Sequence, residues 1–316
     1  MDKFKCILCG SDKVIFFDNY KFNVKTDEKF FGKLKIYRCN DCDLGFCNPM
    51  PKEDDLKDYY ENIYRAEGRP HEINLENIDT NIYNYKNLNY FQYLTTFIDF
   101  SKIEKIFDFG SGTGDIGFLL KKKFKHLKLF SSEKDIICKK ILNGRGFHNY
   151  EEIENIDEKF DLIISTHSLE HMTDFSIIKF FKKISNEECK IFFEVPNCDF
   201  KYYRERPYDS PHLIFFSKRN FLTFKEKFNL DIVDLNYSSY SIQKSFQHME
   251  ESKKMYHTWP AQNIVLKRIK KIIKFLLPKT ILEFREYLTE KKIDKLDYFK
   301  LNKKDSWCLR VLFKIN

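Results

Sequence analysis

Residues 106–117 read IFDFGSGTGDIG. An apolar, strand-like run ends in Asp108, and Gly110, Gly112, Gly114 and Gly117 follow. Glycine at this density lets the backbone approach a ligand closely. Two patterns overlap in the stretch. Gly112, Gly114 and Gly117 satisfy G-x-G-x-x-G, the fingerprint of dinucleotide sites. Asp108 through Gly114 satisfy D-x-G-x-G-x-G, which suits a different cofactor.

The surrounding chain alternates between two periodicities. Helices are expected over 86–98, 115–124, 134–143 and 174–184. Strands are expected over 105–109, 127–130, near Phe147, over 160–165 (FDLIIS) and over 190–195 (KIFFEV), the last stopped by Pro196. Such alternation implies a parallel sheet with helices on both faces, and ligands at the carboxyl ends of its strands. Glu133 lies just beyond the second strand, about twenty residues after the glycines, where a ribose-binding acid belongs. To this point the ligand is open between NAD and S-adenosylmethionine.

The segment after FDLIIS separates them. It reads Thr166-His167-Ser168-Leu169-Glu170-His171-Met172. With the D-x-G-x-G-x-G loop and the acid at Glu133, it resembles the class I S-adenosylmethionine-dependent methyltransferases over about residues 86–236. The resemblance implies a doubly wound, mostly parallel seven-stranded α/β sheet. Its last two strands, near 231–235 and 308–315, would pair antiparallel near an edge. It implies that Asp108, Gly110, Ser111, Gly112 and Gly114 wrap the cofactor, that Glu133 takes its ribose and that His167 packs against it or caps the next helix.

Cys6-x-x-Cys9 and Cys39-x-x-Cys42 form two matched pairs. Four thiolates at this spacing make the closed tetrahedral site of structural zinc. Cys47, Cys138, Cys189, Cys198 and Cys308 show no pairing and default to small apolar filler. The ribbon, the turn Asn48-Pro49-Met50-Pro51 and the pair Tyr59-Tyr60 together resemble bacterial methyltransferases acting on sugars of surface glycans and secondary metabolites. Members that methylate carbon usually carry Tyr-His-Glu-His where this chain has Asp209-Ser210-Pro211-His212. Only the last histidine is kept. The resemblance therefore implies a hydroxyl acceptor on a sugar or surface-glycan precursor, with His212 as general base and His171 as the competing candidate. An N-methyltransferase of aminosugars is the enzymatic alternative.

The chain has 316 residues and a formal charge of +8. Lys, Asn, Ile and Phe are all abundant, so much of that charge reflects composition. No basic comb with interleaved aromatics marks a nucleic-acid face, although a zinc-ribbon nucleic-acid-binding protein is the rival of another class. MDKFKCILCG lacks the apolar run of a signal peptide, and no stretch is long and apolar enough to span a membrane. A cytoplasmic protein is expected. Four regions follow: a zinc ribbon (1–60), a cofactor-binding core (61–236), a helical insertion (237–305) and a final core strand (306–316). Residues 263–277, NIVLKRIKKIIKFLL, read as a basic amphipathic helix that packs on its own core or a second copy, or lies on anionic lipid at the inner face of the membrane.

Overall fold

The computed structural model describes residues 4–22, 24–66, 73, 82, 85–199, 209–241 and 306–315. The basic helix expected at 263–277, with nearly all of the expected insertion, lies outside the described residues.

Five parallel strands form the middle and one edge of the main sheet: β4 (Lys105–Phe109), β5 (Lys128–Ser132), β6 (Phe147–Asn149), β7 (Phe160–Thr166) and β8 (Ser185–Pro196). Two further strands, β10 (Leu230–Ser241) and β11 (Ser306–Ile315), complete the order β10-β11-β8-β7-β4-β5-β6. β11 runs antiparallel to both β8 and β10. The seven-stranded, mostly parallel sheet is the one the sequence implied. β8 begins earlier and β10 ends later than the apolar patterns suggested.

Strands buried on both faces must be apolar at successive positions. Period two then splits their side chains between two cores. Ile106, Leu162, Ile164, Phe192 and Leu312 enter one core; Phe107, Ile163, Ile191, Phe193, Val311 and Phe313 enter the other. Helices α3 (Tyr85–Phe97) and α4 (Asp115–Lys123) contribute Tyr93, Leu94 and Leu120 to the first. Helices α6 (Ser176–Lys183) and α7 (Lys218–Phe228) contribute Phe181 and Phe224 to the second. Local signals fix the helix ends. Asp135 Oδ1 accepts from the backbone N–H of Ile137 and Cys138 at the start of α5 (Ile136–Gly144). A Ser217–Asn220 capping box starts α7, and Asn229 in the left-handed region ends it.

A second sheet holds the N-terminal region. Its strands are β1 (Val14–Asn19), β2 (Lys35–Cys39), β3 (Gly45–Asn48) and, unforeseen in the sequence, β9 (Ile214–Phe215), in the order β1-β2-β3-β9. The two short helices of this region are α1 (Glu28–Phe31) and α2 (Glu53–Asp58). Gly45 and Phe46 pair with Phe215 and Ile214. The cysteine region therefore shares a sheet with the segment that carries His212. It also shares a core, because Cys6, Leu8, Ile36 and Phe46 join Phe216, Phe221 and Phe224 in one cluster. The Asn220 side chain donates to the Cys42 carbonyl at 2.6 Å.

Glu194, near the end of β8, anchors a buried polar network. Arg310 Nε and Tyr90 OH donate to its carboxylate, and Ser238 Oγ donates at 2.9 Å. The Arg310 guanidinium also stacks 4.7 Å from the Tyr90 ring centroid. Burial opposes the charge on Glu194, but Arg310 and His167 hold its pKa below the ordinary carboxylate range. Removing one partner of such a pair leaves an uncompensated buried charge. Arg310→Leu is expected to lower the unfolding free energy by about 3–5 kcal/mol, read from urea denaturation.

Candidate functional site

The chain runs β4, β5, β6 toward one edge, then returns to place β7 on the other side of β4. That reversal opens a crevice at the carboxyl ends of β4 and β7, the topological switch point at which ligands bind in such sheets. The glycine loop leaves β4 and the HSLEH segment leaves β7, so the two motifs meet here. A Cβ on Gly110 would lie 2.3 Å from Ser168 Oγ. Gly110, Gly112 and Gly114 all have positive φ, and a Cβ on Gly114 would lie 2.5 Å from Leu142. The close approach read from composition is thus an approach to neighbouring side chains as well.

Glu133 closes the other side of the loop. Its Oε2 accepts from the Gly112 N–H at 2.7 Å, and its Oε1 accepts from the N–H groups of Lys134 and Asp135, each at 2.9 Å. A carboxylate has about four lone-pair sites. Three backbone donors leave roughly one for a ligand hydroxyl. Ser111 Oγ is buried with no hydrogen-bond partner among the described residues. Asp108 is 3% exposed, and burial, reinforced by the charges of Glu133 and Asp115, pushes its pKa well above the ordinary carboxylate range. Arg145 ties the far end of the loop, donating to Thr113 O at 2.6 Å and to Asp115 at 2.5 Å.

His167 adopts φ +53°. Its Nδ1 stands 3.4 Å from Glu170 Oε1 and its Nε2 stands 3.3 Å from Glu194 Oε1. Burial and Lys86 oppose its protonation, yet contacts with Cys308, Glu170 and Glu194 hold its pKa well above the ordinary imidazole value. Glu170 is 1% exposed, and neither of its side-chain oxygens accepts a hydrogen bond among the described residues. His171 follows in the same short 3-10 turn, Leu169–His171.

The two candidate histidines are neighbours. The rings of His171 and His212 lie 5.1 Å apart between centroids. The backbone joins their segments, because the Leu213 N–H donates to the Glu170 carbonyl at 2.8 Å. Burial lowers the pKa of His171, so its imidazole is neutral near pH 7. Tyr60 and Tyr64 approach the His171 ring edge-on at 5.8 and 6.4 Å. The Arg65 guanidinium covers Tyr64 at 5.3 Å and lies beside Gly112. A continuous wall thus runs from the glycine loop through Arg65, Tyr64 and His171 to His212. The sequence places Tyr64 in the same aromatic stretch as the Tyr59-Tyr60 pair, but no motif marks a role for it or for Arg65.

The N-terminal region grips the His212 segment at several points. Tyr20 OH donates to the His212 carbonyl at 2.8 Å. The N–H groups of Asp209 and Ser210 donate to Lys21 O at 3.2 and 3.1 Å, and the Lys21 N–H donates to Asp209 Oδ2 at 3.2 Å. Ser210 Oγ donates to buried Asp27 at 2.8 Å. Asp209 and Ser210, which depart from the carbon-methylating pattern, therefore fasten the loop to the cysteine region.

Cys6, Cys9, Cys39 and Cys42 converge, with all four Sγ atoms within 4.8 Å of one another. The Cys6–Cys42 and Cys9–Cys39 separations are 3.5 and 3.6 Å. The five other cysteines are buried, as small apolar filler should be.

A buried carboxylate with a raised pKa binds more protons folded than unfolded, so stability falls as pH rises through its unfolded value. Asp108→Asn removes that penalty. The variant is expected to match the parent below about pH 3.8 and to be increasingly the more stable above it, measured by chemical denaturation without ligand across pH 3–8.

Residues 83–235 match the model of a methyltransferase domain family. No curated protein matches the chain. Among solved structures, the chain is similar to coclaurine N-methyltransferase bound to N-methylheliamine and SAH, with 14% identity, 83% of this chain and 86% of that chain covered and a TM-score of 0.48. It is similar to a mitomycin 7-O-methyltransferase, with 14% identity, 48% and 50% coverage and a TM-score of 0.38. It is also similar to a SAM-dependent methyltransferase from Geobacter sulfurreducens in complex with S-adenosyl-L-homocysteine, with 10% identity, 74% and 92% coverage and a TM-score of 0.43. The stretch that matches, from 83 to 235, carries the glycine loop and the HSLEH turn.

Proposed function

We propose that this chain transfers a methyl group from S-adenosylmethionine to a hydroxyl of a sugar or sugar-derived precursor of a bacterial surface polysaccharide, in the cytoplasm. The observation that carries the reading is the joining of two parts at one switch point: a glycine loop with a ligand-ready acid, and a pair of adjacent histidines. The loop fits the cofactor. Among the described residues Ser111 Oγ is a buried hydroxyl without a partner, and Glu133 keeps about one acceptor site beside Gly112. The bound cofactor supplies a methyl group made electrophilic by its sulfonium. Asp108 is offered to the amino group, Gly110, Ser111, Gly112 and Gly114 cradle the ligand, and His167 orders the adjoining turn. His212, with His171 beside it, takes the acceptor proton, and Tyr60 and Tyr64 wall the acceptor side. The hydroxyl assignment follows from the single retained histidine of the Asp209–His212 segment. The sugar assignment follows from the resemblance of the ribbon-first layout.

The cysteine cluster fits zinc on its donor set and spacing. A tetrahedron with Zn–S bonds of about 2.3 Å has edges of about 3.8 Å, against the 3.5 and 3.6 Å found here. Cys6, Cys9, Cys39 and Cys42 would hold the ion in a closed, structural site. Cobalt substitution should give a thiolate charge-transfer band that is lost in Cys39→Ser. Because β3 pairs with β9, that variant should also lose methyl transfer. A band of full intensity in a variant lacking all four thiols would overturn the zinc assignment.

The function is tested by calorimetry with S-adenosylhomocysteine, followed by labelled methyl transfer into a fractionated extract and identification of the product. Glu133→Ala should weaken binding at least tenfold. His212→Ala should leave binding near the parent value and lower turnover about a hundredfold or more. Preference for NAD over S-adenosylhomocysteine would overturn the cofactor. Normal turnover in both His212→Ala and His171→Ala would overturn the base and favour an amine acceptor.

A further inference from the structure

Glu170, His171 and His212 each offer one donor atom within 4.8 Å of the others. The grouping draws on two segments distant in sequence, held together by the Leu213 N–H to Glu170 carbonyl hydrogen bond at 2.8 Å. Two independent observations point to something bound there. The first is Glu170 itself: it is 1% exposed, its Oε1 has only the His167 ring at 3.4 Å, and neither carboxylate oxygen accepts a hydrogen bond among the described residues. His167 answers at most one of the two oxygens, and a buried carboxylate oxygen left unmet is costly unless a donor or a cation completes it. The second is the orientation of His171. Its Nδ1 lies 3.4 Å from the Pro211 carbonyl. A carbonyl oxygen can only accept, so Nδ1 carries the proton and Nε2 keeps its lone pair. A ring N–H given to a backbone carbonyl is the arrangement that orients metal-ligating histidines.

We infer that Glu170, His171 and His212 form a divalent transition-metal site beside the glycine loop. Two imidazoles and one carboxylate suit zinc, iron(II), cobalt(II) or manganese(II) more than magnesium or calcium, which favour all-oxygen shells. Glu170 has two oxygens, so one can face His167, 3.4 Å away, while the other meets the ion. Ligating carboxylates ordinarily have such an outer partner. Three protein donors leave at least one coordination position, as in sites that also hold solvent or a substrate oxygen. The grouping His167, Glu194 and Cys308 has similar spacing but is a poorer candidate, because Arg310, Tyr90 and Ser238 already bond Glu194.

The inference rests on the methyl-transfer reading only for the cation's purpose, and with the ion bound it replaces the base: an imidazole whose lone pair is on the ion cannot also take a proton, and the cation would instead lower the pKa of an acceptor hydroxyl bound to it. Cation binding and base function use the same imidazole lone pairs, so loss of turnover in His212→Ala cannot tell them apart. Metal binding can, in the absence of cofactor and acceptor. The full chain is stripped of metal and titrated with Co2+ alone, with absorbance and metal content recorded. The parent is expected to take up the equivalent that gives the thiolate band, then a second equivalent with weaker bands and no thiolate band. The double variant His171→Ala/His212→Ala should keep the first and lose the second, and Glu170→Gln should bind the second at least tenfold more weakly. Retention of the thiolate band shows that the variant has folded. A parent that binds only the thiolate equivalent, or a double variant that keeps the second, overturns the site whether or not methyl transfer is found. If the site stands and methyl transfer fails, only the functional reading falls.

Discussion

The structure depends on the hydrogen bonding between the N-terminal cysteine region and residues 209–215. β3 accepts β9 as the last strand of its sheet, and Tyr20, Lys21 and Asp27 hold the turn just before it. A loop beyond the carboxyl end of a sheet is ordinarily exposed and free to vary. Here its backbone donors and acceptors are committed to a neighbouring unit. His212 is therefore presented from a strand-anchored turn.

The same logic applies on the other side of the crevice. Gly110 and Ser168 are packed so closely that a methyl group at residue 110 has no room. Glu133 draws in Gly112 through a charged hydrogen bond. The Leu213-to-Glu170 hydrogen bond carries the rigidity across to His212. Glycine loop, HSLEH turn and His212 turn are thus three pieces of irregular backbone, each braced by another. Asp108 stands apart as a cost, since burial and the like charges of Glu133 and Asp115 all oppose its ionised form. Such costs are common where a ligand supplies the missing partner.

Much of this was legible in the sequence. β4, β7 and β8 lie in the middle of a parallel sheet, so burial on both faces wrote apolar runs that stand out from a lysine-rich background. The glycine loop was legible because only glycine tolerates its positive φ angles so close to Leu142 and Ser168. The two C-x-x-C pairs met as expected. β9 was not legible, because two residues inside an aromatic run carry no period and their partner lies far away in sequence. The roles of Arg65 and Tyr64 escaped for a related reason. Their place in the wall follows from tertiary packing against Gly112 and His171, with no local spacing to announce it. Asp209 and Ser210 read as departures from a pattern until Lys21 and Asp27 appeared beside them. The two-sided demand on Glu133 was hidden as well, since its backbone partners depend on how the loop folds back.

The β3–β9 pairing also has a consequence for how the chain is made. β1, β2 and β3 leave the ribosome early, whereas Ile214 and Phe215 emerge only after most of the main sheet has been synthesised. Until then β3 has an unpaired edge bearing Phe46 and Cys47. An open edge of that kind is a template for joining to another chain. Nascent copies on one message hold many such edges close together, so the order of emergence exposes this protein to swapping of its ninth strand between copies. β1, β2 and β3 can pair among themselves but leave that edge open, and only the arrival of β9 seals it.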